Sequence, residues 1–340
     1  MKNTKGITLI ALIITIIVML ILVSVSINIA IKTGLFEQAG NATKKYRGEQ
    51  EKESNLSKIT VGGVEYDSVE DYIAKNNGTS QDVVKWIYVD NGDGTVEITG
   101  LDLRGKKSEK RTIINQEAGQ EYGAITLNLA NDTLAIPGEI DGKKVAKVSF
   151  EENIYDGMLE SDDGWFTISG VKSIIFADSI ETIGVQTISF EDVENLHLPS
   201  GLKEIQSGWS LAYLKKVETL TIPKNVENIG ECAFYKLESL KNIVFKGTPK
   251  TIGNEVFHGC YLVNELTIPE GVEKIGGCLL GTSESSEPLT INLPKSLKEF
   301  RNLSSSRSVT LNFPNGINEN LTIPEDKWGA SKVIVEGVEQ

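Results

Sequence analysis

Apolar and polar residues alternate in a short pattern that recurs along the second half of the chain, from Val171 onward. In each unit two apolar residues flank one outward residue, and an apolar residue, two spacers and an Ile-Gly step follow, as in LTIPKNVENIG. Alternation with period two predicts a short β-strand with one buried face. The outward residues recur at spacings of 22, 24, 23, 23 and 25, and they are Ile175, His197, Thr221, Val244, Thr267 and Asn292.

One such unit is too small to bury its apolar side, so the repetition itself predicts the architecture. Strands stacked about 4.8 Å apart form a parallel sheet whose inward residues, such as Leu220 and Ile222, make a continuous core. A second apolar pair in each unit, such as Val226 and Ile229, is expected to form the opposite wall of that core. The bend between the walls is expected to hold an aromatic anchor, Phe234 or Phe257.

The glycines of the repeats are expected to turn the backbone where a side chain would be strained. They are Gly184, Gly230, Gly253 and Gly276. Shortened copies of the pattern, SVTLNFP near Val309 and NLTIP near Leu321, predict a degenerate C-terminal cap. We therefore assign residues 171–340 to the repeats and their cap.

A β-rich entry region is predicted at residues 83–170, with the folded domain starting near Val83. The stretch WIYVDNGDGTVEITGL has two alternating runs around Asn-Gly and Asp-Gly pairs, which favours a hairpin with a turn at DNGDG. IPGEIDGKKVAKVSF predicts a second strand-turn-strand unit. Residues 32–82 are interpreted as a helical extension and linker, with a short helix in SVEDYIAK capped by Ser68.

The N-terminus predicts a membrane segment. The 25 residues from Ile7 to Ile31 carry no charge and would span about 37 Å as a helix. This length favours an anchor or an assembly helix over a cleaved secretory signal. Residues 1–6 form a basic leader, in which Lys2 and Lys5 predict a cytoplasmic N-terminus. The expected location is therefore a single-pass protein of the cell membrane with its repeats outside the cell.

The composition argues against several classes of partner and of chemical site. The net charge of −13, from 47 acidic and 34 basic residues, repels phosphate backbones, so nucleic acid is not an expected partner. The three cysteines Cys232, Cys260 and Cys278 are too far apart in sequence for paired-cysteine zinc ligation, and we expect them to be buried free thiols. His197 is expected to be a solvated strand residue and His258 a bend residue. We predict no cofactor, no metal and no enzymatic activity.

The outward side chains of the repeat strands form a candidate binding face. Short hydroxyls and amides leave room for a partner and can bond to protein or sugar, although they also suit close strand stacking. An extracellular protein or glycan is the expected partner. The candidate residues are Asn195, His197, Thr219, Thr221, Asn242, Val244, Glu265, Thr267, Thr290, Asn292, Thr310 and Asn312. Trp209 is expected to be half-buried near a bend.

The unit LTIPKNVENIGECAFYKLESL resembles the BspA-like leucine-rich repeats of bacterial surface proteins, and NGDGTVEIT and IPGEIDGKKV resemble the segment that leads into them. The resemblance covers residues 86–340 and implies a repeat domain displayed outside the cell for binding, with adhesion as the usual role. We therefore predict a mainly β fold: a right-handed leucine-rich-repeat solenoid of about 23-residue repeats with parallel strands, a β-rich capping region before it, and a long N-terminal transmembrane α-helix.

The segment KGITLIALIITIIVML resembles a type IV prepilin N-terminus, which implies cleavage between Gly6 and Ile7 by prepilin peptidase. It departs from that family in having Ile7 where Phe is common and Ala11 where Glu is common. Two functions follow. The first is a membrane-anchored binding protein. The second is a minor pilin or pseudopilin-like subunit that displays the repeats on a filament or secretion apparatus and packs against other pilin-like subunits.

Overall fold

The structure, a computed structural model, describes residues 58–76, 84–106, 108–112, 121–151, 166–186, 188–281, 286–305 and 307–340. The predicted leader at residues 1–6, the apolar segment at residues 7–31 and the candidate cleavage point at Gly6 and Ile7 lie outside these ranges. Within them, no helix is long and apolar enough to cross a membrane.

The folded unit begins at Lys58, earlier than the boundary near Val83 that the sequence indicates. Strands β1 (Ile59–Val61) and β2 (Val64–Tyr66) form an antiparallel hairpin, and helix α1 (Val69–Asn76) follows. The Ser68 hydroxyl accepts the Asp71 amide at 3.1 Å, which confirms the predicted cap.

The hairpin and α1 belong to the core rather than to a linker. The buried Tyr66 and Tyr72 rings meet edge to face, with 5.1 Å between their centroids. The Tyr72 hydroxyl donates to the Ala130 carbonyl oxygen at 2.8 Å. The sequence assigns this stretch to a linker, but the hydrogen bond from Tyr72 to Ala130 and the burial of both rings in the core place it in the folded unit.

The entry region contains the two predicted strand-turn-strand units. Strands β3 (Lys85–Asp90) and β4 (Thr95–Asp102) pair antiparallel, as do β5 (Ser108–Thr112) and β6 (Glu121–Thr126). Strand β7 (Thr133–Ile136) is followed by β8 (Glu139–Ile140), which pairs antiparallel with β9 (Lys143–Phe150). The Asp90 carboxylate accepts the Gly92 amide and the Asp93 carboxylate accepts the Thr95 amide, each at 3.0 Å, so DNGDG is the predicted turn.

The repeats contribute one long and one short strand each. Strands β10 (Phe166–Ser169) and β13 (Ile188–Phe190) pair with each other, and the remaining strands of the repeats form two walls. The long strands are β11 (Ser173–Phe176), β14 (Asn195–His197), β16 (Thr219–Ile222), β18 (Asn242–Phe245), β20 (Glu265–Thr267), β22 (Leu289–Asn292), β24 (Val309–Phe313) and β25 (Lys332–Val335). The short strands are β12 (Thr182–Gln186), β15 (Glu204–Ile205), β17 (Asn228–Ile229), β19 (Thr251–Ile252), β21 (Lys274–Ile275) and β23 (Glu299–Phe300).

Parallel pairing between consecutive repeats confirms the predicted register. Thr219 lies opposite Asn242, and Ile229 lies opposite Ile252, one repeat apart. The short strands continue from β9 and β4 as one uninterrupted sheet, whereas the long strands divide into three: β7-β11-β14, β16-β18, and β20-β22-β24-β25 with β26 (Val338–Glu339). We call these two sets the short-strand wall and the long-strand wall.

The core lies between the walls. In β16 the burial alternates as predicted, with Leu220 and Ile222 buried and the two threonines exposed. Phe234 and Phe257 fill the bend between the walls and stack with their centroids 5.7 Å apart and their planes 7° apart. Both are fully buried, so they are the expected aromatic anchors.

Two details of the predicted pattern are wrong. Ile175 is not an outward residue but is 4% exposed, and its neighbour Ile174 is 2% exposed, so both faces of β11 are covered. NLTIP is not the next strand after β24. Lys332–Val335 takes that place, with Thr310 opposite Lys332, and Trp328 closes the core below it by packing on Phe300 at 5.4 Å.

Candidate binding surfaces

The predicted face is most open on strands β16, β18 and β20 of the long-strand wall. Six of its residues are exposed there, which confirms their outward orientation: Thr219, Thr221, Asn242, Val244, Glu265 and Thr267. Strands β16 and β18 pair directly, but no ladder joins β18 to β20. The structure therefore brings the first four of these residues together in one sheet and places the last two in another.

The C-terminal part of this face is less accessible to a ligand. Thr290, Asn292, Thr310 and Asn312 are half-buried. The Asn292 amide donates to the Thr267 hydroxyl and to the Glu265 carboxylate, each at 3.0 Å, and it accepts from the Asn312 amide at 2.8 Å. These side chains form an internal ladder between repeats, so much of their hydrogen-bonding capacity is already used.

The N-terminal part of the face departs further from the prediction. Asn195 is exposed, but His197 is half-buried rather than solvated. Burial lowers the pKa of His197, and the nearby Asp178 carboxylate only partly opposes this shift. Both residues lie in the β7-β11-β14 sheet, which is not hydrogen-bonded to β16. The predicted face is therefore distributed over three separately hydrogen-bonded sheets.

The short-strand wall carries a second surface, which the sequence reasoning missed. Residues alternate in each short strand, so that Asn228 points outward, Ile229 inward and Gly230 outward again. In three consecutive repeats this last outward position is a glycine: Gly230, Gly253 and Gly276. The row of glycines has no side chains and forms the floor of a trench, with a volume of about 500 Å³.

These glycines are required by close packing and not by backbone turning. A Cβ atom on Gly230 would overlap the backbone nitrogen of Ser207 in the preceding repeat, and one on Gly253 would lie 2.7 Å from the Glu231 nitrogen. The left-handed backbone occurs two residues later instead, at Cys232 with φ of 57° and Glu255 with φ of 53°. The expectation that the glycines turn the chain was therefore wrong in its physical reason.

Two polar rims border the glycine floor. One rim is formed by Asn228, Thr251 and Lys274. The other rim is formed by Ser207, Glu231 and Asn254, which hydrogen bonds link from repeat to repeat. The Glu231 backbone amide donates to the Ser207 hydroxyl at 3.0 Å, and the Asn254 side-chain amide donates to the Glu231 carboxylate at 3.3 Å. Further lining residues stand at the two ends of the trench, Glu204 and Gln206 at one end and Glu299 and Arg301 at the other.

The trench has no aromatic lining residue, whereas several aromatic side chains pack together at the bend between the walls. The His258 ring stacks on Tyr235 with 5.0 Å between centroids, and Tyr213 lies beyond Tyr235 at 5.7 Å. The His258 Nδ1 atom is buried with no hydrogen-bond partner, and burial lowers the pKa of this side chain. Trp209, expected to be half-buried, is 40% exposed on a left-handed backbone.

The thiols are poorly suited to nucleophilic chemistry. All three cysteines are free; Cys232 and Cys260 are buried as expected, and Cys278 is partly exposed. Burial raises the pKa of Cys232 to about 11 and that of Cys260 to about 12, which keeps both thiols protonated. The described ranges contain no group of three or more His, Cys, Asp or Glu side chains that could hold a metal ion.

The chain is similar to solved structures of proteins from several bacteria. The chain is 15% identical to a leucine-rich repeat protein of T. pallidum, covering 60% of this chain and 78% of that one with a TM-score of 0.31. It is 15% identical to a leucine-rich repeat protein of Bacteroides ovatus, covering 75% of each chain with a TM-score of 0.35. It is 16% identical to the pneumococcal vaccine antigen PcpA, covering 69% of each with a TM-score of 0.35.

No curated protein matches the chain. The family model for the BspA-type leucine-rich repeat region, in contrast, matches six copies over residues 153–210 and 210–326. These residues, 153–326, are 174 of the 340 and include the long strands from β11 to β24 and the short strands from β12 to β23. The chain therefore belongs to the BspA-type leucine-rich repeat family.

Proposed function

We propose that this chain is a membrane-anchored cell-surface binding protein whose repeats form a right-handed solenoid, displayed outside the cell for adhesion through protein or glycan recognition. The observation that carries the proposal is the presence of exposed polar side chains on both walls of one stacked core. A core that is continuous from repeat to repeat holds these side chains at fixed spacings, which suits recognition of an extended partner.

Anchoring is proposed from the sequence of the first 31 residues. The uncharged run from Ile7 to Ile31 is long enough to span a bilayer, and Lys2 and Lys5 favour retention of the N-terminus in the cytoplasm. The repeats would then be exported. Binding is proposed in place of catalysis because the Cys232 and Cys260 thiols are held protonated and the two histidines lie in separate segments of the fold.

The binding proposal is tested with the full-length protein in detergent micelles or nanodiscs. Labelled protein is titrated onto host cells, neighbouring bacteria and extracellular matrix, with an empty nanodisc as the control. Saturable binding that unlabelled protein displaces is the expected result. Absence of saturable binding to every one of these surfaces would count against the proposal.

A second candidate function is a minor pilin or pseudopilin-like subunit, and the specific observation that favours it is the leader KGITLIAL with Gly6 before the apolar run. Ala11 replaces the glutamate that would offset a neighbouring subunit's amine within the apolar filament core. The intact mass and N-terminal sequence of protein from its native membrane test this candidate. A chain that begins at an N-methylated Ile7 supports processing by prepilin peptidase, whereas one that begins at Met1 removes the basis for it.

A further inference from the structure

The trench on the short-strand wall combines polar side chains that are unpaired within the described part of the chain with a recess of about 500 Å³ above the glycine row. Elsewhere, charged residues pair across repeats, as Glu181 does with Lys203 at 2.6 Å and Glu273 with Lys298 at 2.9 Å. Five trench side chains make no hydrogen bond or ion pair with any other residue that the structure describes. They are Glu204, Gln206, Asn228, Thr251 and Arg301.

Charge is distributed unevenly along the trench. Lys274 and Glu299 neutralise each other through a 2.8 Å ion pair. The Glu204 and Glu231 carboxylates then remain near one end, and the Arg301 guanidinium remains at the other. The trench is therefore acidic at its N-terminal end and basic at its C-terminal end.

The dimensions suit a short extended chain. Five strands, from β15 to β23, contribute to the trench, so its ends are separated by four strand spacings, or about 19 Å. An extended polypeptide rises about 3.3 Å per residue, so about six residues would cover this length. The free amides and hydroxyl of Gln206, Asn228 and Thr251 can both donate and accept, as a peptide backbone requires.

The composition of the lining favours a peptide over a sugar chain. None of the trench residues is aromatic, whereas the apolar faces of sugar rings are commonly covered by aromatic side chains. The lining instead carries amide and hydroxyl groups, on Gln206, Asn228 and Thr251, that match the donors and acceptors of a peptide backbone. Strand addition is not available here, because the trench runs across the strands and the amides of the three floor glycines already bond to the preceding repeat.

We propose that the trench is a binding site for an extended segment of a partner protein, about six residues long, which places an acidic side chain or C-terminal carboxylate on Arg301 and a basic side chain near Glu204 and Glu231. This inference rests on the proposed binding function and names its site and ligand class. The Arg301 guanidinium can take a carboxylate in a bidentate geometry, which would fix the direction of the segment.

The test is a selection of eight-residue peptides from a random display library on the full-length protein in nanodiscs. Counter-selection uses Thr251→Tyr, which places a large side chain over the trench at a strand position that tolerates aromatic residues. The matched control is Thr221→Tyr on the long-strand wall. Circular dichroism establishes that both variants are folded.

The expected result is a set of peptides with one basic and one acidic residue five or six positions apart, whose binding is lost in Thr251→Tyr and kept in Thr221→Tyr. Arg301→Glu should weaken the selected peptides by about tenfold, because it removes one attraction and adds one repulsion. Reselection on Arg301→Glu should enrich basic residues at both ends.

Three outcomes would overturn the inference. One is that no peptide is enriched, and another is enrichment that Thr251→Tyr and Arg301→Glu leave unchanged. The third is a glycan array in which Thr251→Tyr abolishes sugar binding while peptides do not bind. If the full-length protein still binds cells or matrix saturably with the trench blocked, the inference fails while the proposed binding function stands.

Discussion

The two walls are built from the same repeats, yet the polar side chains at the C-terminal end of the long-strand wall are bonded to one another, whereas several of those in the trench have no partner among the described residues. On the long-strand wall, Asn292 and Asn312 bond to each other and to Thr267. On the short-strand wall, Asn228 and Thr251 have no side-chain partner in the part of the chain that the structure describes. Exposure alone made the long-strand wall the better candidate. Other polar side chains of the long-strand wall are unpaired as well within the described ranges, namely Thr219, Thr221 and Asn242. What distinguishes the trench is its recessed shape and the opposite charges at its two ends.

Both surfaces depend on the shared core, so a cavity made in that core should have the largest effect on the stability of the protein. Phe257→Ala empties a fully buried position that stacks on Phe234, so we expect a loss of about 3–5 kcal/mol in the free energy of unfolding. Chemical denaturation followed by circular dichroism measures it. Leu262→Ala, at a side chain 47% exposed in the same bend, is the control and should change stability by less than about 1 kcal/mol. Equal effects would show that the bend is not packed as described.

The trench floor can be tested separately from the core. Gly230→Ala places a Cβ atom against the Ser207 backbone, and we expect destabilisation of about 1–3 kcal/mol from overpacking. Gly277→Ala is the matched control, because its Cβ would lie 3.2 Å from the nearest atom, the Asn302 carbonyl oxygen, and should cost less. Thermal unfolding of both variants measures the difference. A Gly230→Ala protein as stable as the wild type would contradict the close approach between repeats.

One pair of substitutions compares the walls directly. Asn292→Ala breaks the amide ladder of the long-strand wall and should cost about 1 kcal/mol. Asn228→Ala removes a side chain without a partner and should lie within about 0.5 kcal/mol of wild type. Denaturant titration under identical conditions measures both. Reversal of the two values would mean that the trench side chains serve the fold and not a ligand.

The smallest expected effect is a dependence of stability on pH from His258. Its folded pKa lies below the ordinary value of 6.5, because burial disfavours the charged form more than Glu255 favours it, and Lys236 adds to the lowering. The unfolded chain therefore binds more protons below about pH 7, and stability should fall as the pH drops through 6.5. His197, whose pKa is also lowered, acts in the same direction.

His258→Phe keeps a ring on Tyr235 and removes both the titration and the unpaired Nδ1 atom. Unfolding midpoints between pH 7.5 and about 5 should therefore decline less steeply in this variant than in the wild type. Carboxylates such as Glu181, with a pKa of about 2, lose their contribution only below this window. Identical slopes for the two proteins would show that His258 is not the responsible group.

The repeat pattern was readable from the sequence because the physical constraint is local and recurs. Alternation in β16 and the register of Thr219 with Asn242 follow from a period of about 23 residues. The same period would have placed the last strand correctly. Lys332 lies 22 residues after Thr310, whereas NLTIP follows SVTLNFP too closely to complete a repeat.

Features that depend on long-range packing were not readable. Arg307, in the serine-rich stretch NLSSSRS, is 4% exposed and donates to the Val263 carbonyl at 3.0 Å and the Asn264 amide oxygen at 2.8 Å. Nothing in NLSSSRS indicates a buried cation. The trench was missed for a different reason: Ile-Gly steps suggested turns, and only the approach of Gly230 to Ser207 shows that the glycines align as a floor.

Saturable binding of the full-length protein to cells or matrix, measured for the wild type, Thr221→Tyr, Thr251→Tyr and the double variant, tests the central claim most directly. We expect the wild type and Thr221→Tyr to bind tightly. Thr251→Tyr and the double variant should lose this binding, with all four proteins equally folded. Binding that persists unchanged in the double variant, or that is absent from the wild type, would contradict the central claim.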